Sequence, residues 1–193
     1  MKEEITREEL KSIFGEACEL AYEWSGIDFE VSDFVEIENG FQGKIDFRMV
    51  WKGGYPTKIK LDITKLENES ILLPPKLMPL MIVNEELHKK SIPCYDLREI
   101  LAEKVRSLFQ RTRPRDLYDV WYLSGIIDLR SIEKMMEVKF KFKSVEMNID
   151  IFFLKEEKFR RAWINSLKHQ MRDVPDFDSV FNDVTEELEK VAL

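Results

Sequence analysis

The apolar residues of this chain change their spacing part-way along it, and this change restricts the fold more than any other feature. In residues 57–64, Ile59, Leu61 and Ile63 alternate with polar residues. Alternation places apolar side chains on one face of a strand. After residue 97 the apolar residues recur every three or four positions, as in helices that bury one face. The sequence therefore predicts an α+β chain in which a small antiparallel or mixed sheet with flanking helices precedes a helical bundle.

The N-terminal part predicts one helix and three strands. Thr6 and Glu9 form a capping-box signature, and the helix that they begin is expected to end at Gly26. Strand-like segments follow at residues 29–37, 41–51 and 57–64. We expect an antiparallel meander whose apolar face packs against the helix. The apolar face of the second strand is predicted to carry Ile45, Phe47, Met49 and Trp51.

Residues 66–96 contain four prolines and little periodicity, which favours a long, partly extended connection. Helices are expected at residues 97–111, 116–124, 131–143, 156–171 and 178–191. The domains are accordingly predicted as residues 1–96, an α+β domain, and residues 97–193, a helical domain.

Charge and cysteine content restrict the partners and the compartment. The chain has 30 Lys and Arg residues against 37 Asp and Glu, a net charge of −7, so any anion site must be local. Two cysteines form no disulfide framework, which is typical of a reducing compartment. No apolar stretch reaches the roughly 20 residues that span a bilayer, and residues 1–4 do not open a signal peptide. We expect a cytoplasmic protein without a membrane partner.

The densest group of candidate functional residues lies in residues 97–123, LREILAEKVRSLFQRTRPRDLYDVWYL. Lys104 and Arg111 are seven positions apart and thus lie about two turns along one helix face. After the break at Pro114, Asp116 and Asp119 share the face of the next helix. A short turn should bring these residues together. The cluster suits phosphate binding, and the alternative is an interhelical salt-bridge network.

Other candidate residues each have a structural and a functional interpretation. Asp62 can hold a divalent metal if other carboxylates converge on it, or it is a surface residue balanced by neighbouring lysines. Trp121 and Tyr122 can stack on bases, but with Tyr118 their helical spacing favours core packing. His88 and His169 lack a metal-ligand pattern. The basic segment 139–143 is a possible RNA contact, or else a solvated helix edge or strand.

The segment EKVR followed by RDLYD resembles the nucleotidyltransferase AbiEii/AbiGii toxin family, which shows Glu-Lys-x-Arg and then Arg-Asp-x-x-Asp. KIKLDIT, ILLPPK and IPCYDLREI resemble the preceding strand and connection of the family. The resemblance is clearest from residue 5 to residue 123. It implies a fold similar to that of the polymerase β-like nucleotidyltransferases, in which residues 1–96 would form a partial nucleotidyltransferase-like α+β domain.

The resemblance also implies roles for individual residues. Asp62 matches a metal-binding third acid, Lys104 a nucleotide-contacting lysine, and Asp116 and Asp119 a downstream acidic motif. Arg115 is expected to accompany them as a phosphate or structural contact. Arg111, which shares the helix face of Lys104, is expected to bind phosphate beside it. The implied activity is Mg²⁺-dependent transfer of a nucleotidyl group from a nucleoside triphosphate to tRNA or another RNA. Family membership further implies a toxin that is neutralised by a cognate antitoxin encoded nearby, usually without a stable complex.

The sequence departs from the family in one respect, since its 193 residues contain no Gly-Ser turn followed by an Asp-x-Asp pair. We expect that an upstream segment or another polypeptide supplies this motif, or that the protein is a degenerate member. Transfer by this chain alone is therefore expected to be impaired. The alternative function is that of a non-catalytic remnant that binds nucleotide, RNA or a protein partner.

Overall fold

The computed structural model describes residues 5–48, 56–80 and 90–191. By their contacts the residues group into two compact units, Met1–Glu69 and Ser70–Leu193. The α+β class is confirmed, because in the described residues the first unit combines one long helix with four antiparallel strands and the second unit is mainly helical. The division into domains at residues 96 and 97 stays a prediction.

The first unit begins with the expected helix, α1 (Arg7–Ser25). The Thr6 hydroxyl accepts from the Glu9 N–H, the Glu9 carboxylate accepts from the Thr6 N–H, and Gly26 ends the helix at φ 67°. Leu10 of α1 packs with Phe34 and Phe41 of the sheet in a small buried cluster. The predicted packing of the helix on the apolar face of the sheet is thus confirmed.

The sheet is an antiparallel meander with one interrupted strand. The strands are β1 (Phe29–Val31), β2 (Val35–Ile37), β3 (Gly40–Phe47) and β4 (Thr57–Thr64). Strand β4 pairs with all of β3, so β1 and β2 share the other edge of β3. Between β1 and β2, residues 32–34 stand opposite Gly43 and Lys44 alone, which makes a β-bulge. The predicted single strand at residues 29–37 is therefore broken in two.

The alternation of faces in β3 agrees with the sequence, because Ile45 is buried whereas Lys44 is exposed. In β4 the apolar residues Leu61 and Ile63 pack against the small core, and Asp62 points to the opposite, exposed face. Met49 and Trp51, which were predicted to extend the apolar face, lie outside the described residues, as does His88.

The second unit begins with two antiparallel strands, in a segment where the prolines argued against strands. A 3₁₀ helix (Leu66–Asn68) ends the first unit, and β5 (Lys76–Pro79) then pairs antiparallel with β6 (Ser91–Cys94). The sequence predicted a long, partly extended connection over residues 66–96 and assigned no strands within it, whereas two extended segments of it pair as β5 and β6. Pro79 and Pro93 lie within the two strands. A two-stranded sheet has only edge strands, where the missing proline N–H costs no ladder hydrogen bond if it faces outward.

The bundle contains six helices in the described residues: α2 (Leu97–Gln110), α3 (Pro114–Ser124), α4 (Glu133–Phe142), α5 (Ile149–Phe153), α6 (Glu156–Leu167) and α7 (Phe177–Glu189). A 3₁₀ helix (Leu129–Ile132) leads into α4. The short α5 was missed by periodicity, yet its Phe152 is fully buried and stacks on Phe181 of α7. Helices α2 and α3 form one wall of this core, which fixes the backbone of the candidate site.

Candidate functional site

The turn between α2 and α3 is formed by Pro114 and by extended backbone at the residues before it. Pro114 occupies the first position of α3, where its missing N–H is no loss. The residue before a proline is driven out of the helical region, and Arg113 has extended dihedrals, φ −118° and ψ 115°. Arg111 is also extended, at φ −139° and ψ 173°. The chain therefore reverses over three residues, and α3 folds back along α2.

The reversal brings two cations and two carboxylates together. The Lys104 Nζ lies 3.0 Å from Asp116 Oδ1 and 2.6 Å from Asp119 Oδ2. Arg111 donates from Nε to Asp116 Oδ2 at 2.7 Å and from Nη2 to Asp116 Oδ1 at 3.2 Å. We call these four residues the Lys104 cluster. Its assembly across the two antiparallel helices was predicted from the sequence and is confirmed.

The four residues of the Lys104 cluster differ in burial, and this difference indicates a different role for Asp116 than for the other three. The Asp116 side chain is 3% exposed, whereas Asp119 is 36%, Lys104 28% and Arg111 40% exposed. A buried carboxylate needs paired cations, and both cations of the cluster bind Asp116. Asp116 is thus the fixed anchor of the cluster. The other three side chains reach solvent.

The charges in the Lys104 cluster stabilise one another. Burial raises the pKa of Asp116, but hydrogen bonds from Arg111 and Lys104 outweigh it and hold the pKa below its usual value. Burial lowers the pKa of Lys104, and the two aspartates outweigh that effect and raise it. Both groups therefore stay charged at neutral pH. The arrangement can bind a phosphate through Lys104 and through the donors of Arg111 that Asp116 leaves unused.

A family model of the nucleotidyl transferase AbiEii toxin, of type IV toxin–antitoxin systems, matches residues 3–183. The match covers most of the chain, including the Lys104 cluster and most of the bundle. The chain belongs to the AbiEii family. Family membership implies a cognate antitoxin and a nucleoside triphosphate substrate. No curated protein and no solved structure matched the chain.

The match extends well past residue 123, where the resemblance read from the motifs weakens. The later helices are therefore part of the AbiEii homology. They also support the site directly, since the Lys155 Nζ, just before α6, donates to the carbonyls of Leu108 and Phe109 at the end of α2, at 2.8 and 2.6 Å. This lysine satisfies carbonyls that a helix end leaves without partners.

Two other predicted site residues lie outside the Lys104 cluster. Arg115 is exposed on α3, and its guanidinium nitrogens lie 2.8–3.1 Å from the side-chain amide of Gln170, which accepts from them when its oxygen faces the arginine. Asp62 belongs to the first unit, where its Oδ1 accepts from Gln42 Nε2 at 2.9 Å across β3 and β4. The roles assigned to Arg115 and Asp62 stay predictions.

The described residues do not gather a preformed metal site. They contain no group of three or more His, Cys, Asp and Glu side chains that could hold a metal ion. On the polar face that carries Asp62, Asp46 is a second carboxylate, and its Oδ1 is buried without a hydrogen-bond partner in the described structure. Asp62 itself is exposed and bound to Gln42, not to Lys58 or Lys60.

Sequence reasoning missed a second ion pair on α2, one that is buried. Lys139 of α4 lies 2.7 Å from Glu99 of α2, and both side chains are 4% exposed. Glu99 accepts from the N–H groups of Leu72 and Leu73, and Lys139 donates to the Ser70 carbonyl. Lys139 was predicted as part of a surface patch or RNA contact, and that was wrong. Its repeating Lys-Phe context gives no signal of burial, which depends on packing against α2.

The aromatic residues of α3 also divide differently from the prediction. Tyr118 and Trp121 are partly buried against the main core, as expected, and Trp121 Nε1 donates to Asp183. Tyr122 was expected in the core as well, but it is 56% exposed. It lies on the solvent side of the helix.

No helix among the described residues combines the length and the apolar character that crossing a membrane requires. Cys18 and Cys94 are both free thiols.

Proposed function

We propose that this AbiEii-family chain binds a nucleoside triphosphate at the Lys104 cluster for transfer of the nucleotidyl group to an RNA acceptor such as tRNA. The observation that carries the proposal is the convergence of Lys104 and Arg111 on the buried Asp116. Two cations held by one anchored carboxylate keep a fixed spacing. A fixed spacing is what binding of adjacent phosphates requires.

Solvent-facing donors support phosphate binding at this place. Arg111 uses its Nε and Nη2 on Asp116, and its guanidinium carries five N–H groups in all. Asp119 is half-exposed and binds only the Lys104 ammonium among the described residues. A triphosphate can therefore displace the Asp119 carboxylate from Lys104 without exposing the buried charge of Asp116. Asp116, which is buried, keeps both cations in place during the exchange.

The reaction proposed is an in-line displacement at the α-phosphorus. A hydroxyl oxygen of the RNA forms a bond to this phosphorus while the bond to the pyrophosphate oxygen breaks, and the hydroxyl proton passes to a base. Lys104 and Arg111 neutralise charge on the triphosphate as pyrophosphate leaves. By the family resemblance, Asp62 either activates the hydroxyl or contributes one carboxylate to Mg²⁺.

Mg²⁺ belongs to the proposal by family resemblance alone. The ion is often held by one or two carboxylates together with substrate phosphates, and exposed Asp62 can offer one. The described residues do not form a complete site for it. With few carboxylates gathered, we further propose that the chain alone transfers slowly, since one lost electrostatic contact costs on the order of 10²–10³ in rate.

The test is transfer of labelled nucleotide to total tRNA in the presence of Mg²⁺ or Mn²⁺. Lys104→Met should abolish labelling and weaken triphosphate binding. The matched control is Lys134→Met, because Lys134 is an exposed lysine on α4. Asp62→Ala and Asp46→Ala test these two carboxylates of the polar face one at a time.

The outcomes distinguish the candidate functions. Slow labelling that needs Lys104 and Asp62 supports the proposal in full. Robust labelling by the chain would contradict the impairment, and loss of labelling in Asp46→Ala would show that Asp46 takes part. Triphosphate binding without any labelling indicates the non-catalytic alternative. Labelling that persists in Lys104→Met would exclude the Lys104 cluster as the triphosphate site.

A further inference from the structure

The exposed aromatic surface on α3 adjoins the Lys104 cluster. Tyr122 is 56% exposed, and its ring lies nearly parallel to that of Tyr118, with an interplanar angle of 17° and a centroid distance of 6.2 Å. Tyr118 in turn contacts Trp121, whose indole N–H is held by Asp183. The Tyr122 ring is therefore supported from below by a chain of aromatic and polar contacts, while much of it faces solvent.

The position of this ring follows from helix geometry. Asp116, Asp119 and Tyr122 are spaced by three residues, so they form one row along α3. The row runs from the buried anchor, through the half-exposed carboxylate that binds Lys104, to the exposed ring. Tyr122 stands about 4.5 Å further along the helix axis than Asp119. A cationic site and an aromatic surface are thus neighbours on one rigid helix.

A nucleotide carries its base and its phosphates on opposite sides of the ribose. A protein that binds both the base and the phosphates needs an aromatic surface for the base and, a short distance away, charged donors for the phosphates.

We propose that Tyr122, supported by Tyr118, is the residue on which the base of the bound nucleoside triphosphate stacks. This inference rests on the proposed function, because it takes the Lys104 cluster as the phosphate site. Every nucleobase has a π face, so stacking by itself selects little among the four bases. Purines, which have the larger face, should bind more tightly than pyrimidines. Tyr122 is here a binding residue for the base and takes no part in bond making.

The test compares ATP with inorganic tripolyphosphate, which has the phosphates without the base, by isothermal titration calorimetry in MgCl₂. Tyr122→Ala should weaken ATP binding by about 5- to 150-fold, the range for removal of a base-stacking aromatic, and leave tripolyphosphate binding unchanged. Tyr122→Phe should bind ATP as the parent does. The matched control is Tyr95→Ala, because Tyr95 is 54% exposed in the same unit.

The results separate this inference from the proposed function. If Lys104→Met loses tripolyphosphate binding but Tyr122→Ala keeps full ATP affinity, stacking on Tyr122 is wrong and the phosphate site stands. If Tyr122→Ala loses tripolyphosphate to the same degree, the ring merely shapes the cluster and the inference fails. If the parent binds neither ligand, both proposals fall. A loss confined to a single-stranded RNA oligonucleotide would assign the ring to the acceptor base and overturn the assignment to the triphosphate.

Discussion

Asp116→Asn removes the anchor charge of the Lys104 cluster while keeping the size of the side chain. Three hydrogen bonds reach Asp116, at 3.0, 2.7 and 3.2 Å, all from cationic donors. A bond of this kind contributes about 1.5–3 kcal/mol. The asparagine oxygen can still accept from one cation, but its amide NH₂ faces the other. Because Lys104 and Arg111 are partly exposed, water replaces some of the loss, and we expect a cost of about 2–3 kcal/mol.

Asp119→Asn is the matched control on the same helix. Asp119 is 36% exposed and makes one ion pair with Lys104, and a surface pair of this kind contributes about 0.2–1 kcal/mol. Urea unfolding followed by far-ultraviolet circular dichroism reports chiefly on the helical second unit, and it measures both variants. A cost for Asp119→Asn equal to that of Asp116→Asn would refute the assignment of Asp116 as the anchor.

The pH dependence of stability provides a second, independent test of the role of Asp116. The folded pKa of Asp116 lies below its unfolded value. Its contribution is therefore present above the unfolded pKa of about 3.9 and is lost as the pH falls through the folded value. Asp116→Asn should remove this part of the acid dependence, so the parent and the variant should approach each other in stability below about pH 4. Parallel curves throughout would contradict the ionised anchor.

Three further predictions concern residues outside the Lys104 cluster. Asp96→Asn keeps the N-cap of α2 but removes a carboxylate whose pKa Arg98 and Lys76 hold well below its usual range. The free energy of unfolding should therefore fall by about 1–2 kcal/mol at pH 7 and by much less near pH 2, as measured by unfolding curves at both pH values. Lys139→Met leaves Glu99 buried without its cation and should cost about 3–5 kcal/mol in urea unfolding; a cost below about 1 kcal/mol would contradict the burial. Gly43→Ala should lower the free energy of unfolding by about 1–3 kcal/mol, because the new methyl group overlaps the buried Phe34 ring. Gly15→Ala should raise it by about 0.5–1 kcal/mol, because the methyl group meets no atom there and alanine favours a helix more than glycine does. Equal shifts of the two variants in thermal melts would refute this contrast.

Local chemistry determined much of the fold before any packing was known. The Thr6–Glu9 box and Gly26 bound the first helix correctly, because capping is satisfied within a few residues. The alternation in residues 57–64 placed Asp62 on the exposed face of a strand. The Arg113–Pro114 break and the spacing of Lys104, Asp116 and Asp119 predicted the cluster. These features depend only on helix and strand periods and on a short turn.

Tertiary structure decided what no local pattern records. The sequence treats Asp116 and Asp119 alike, and the packing of α3 against α2 buries one and leaves the other half-exposed. The same packing buries Lys139 beside Glu99, although its neighbours resemble a surface patch. Tyr118, Trp121 and Tyr122 share a helical apolar pattern, yet the bundle covers only the first two. Burial depends on which distant helix lies opposite a residue, and that is a property of the whole core, not of the spacing along one helix.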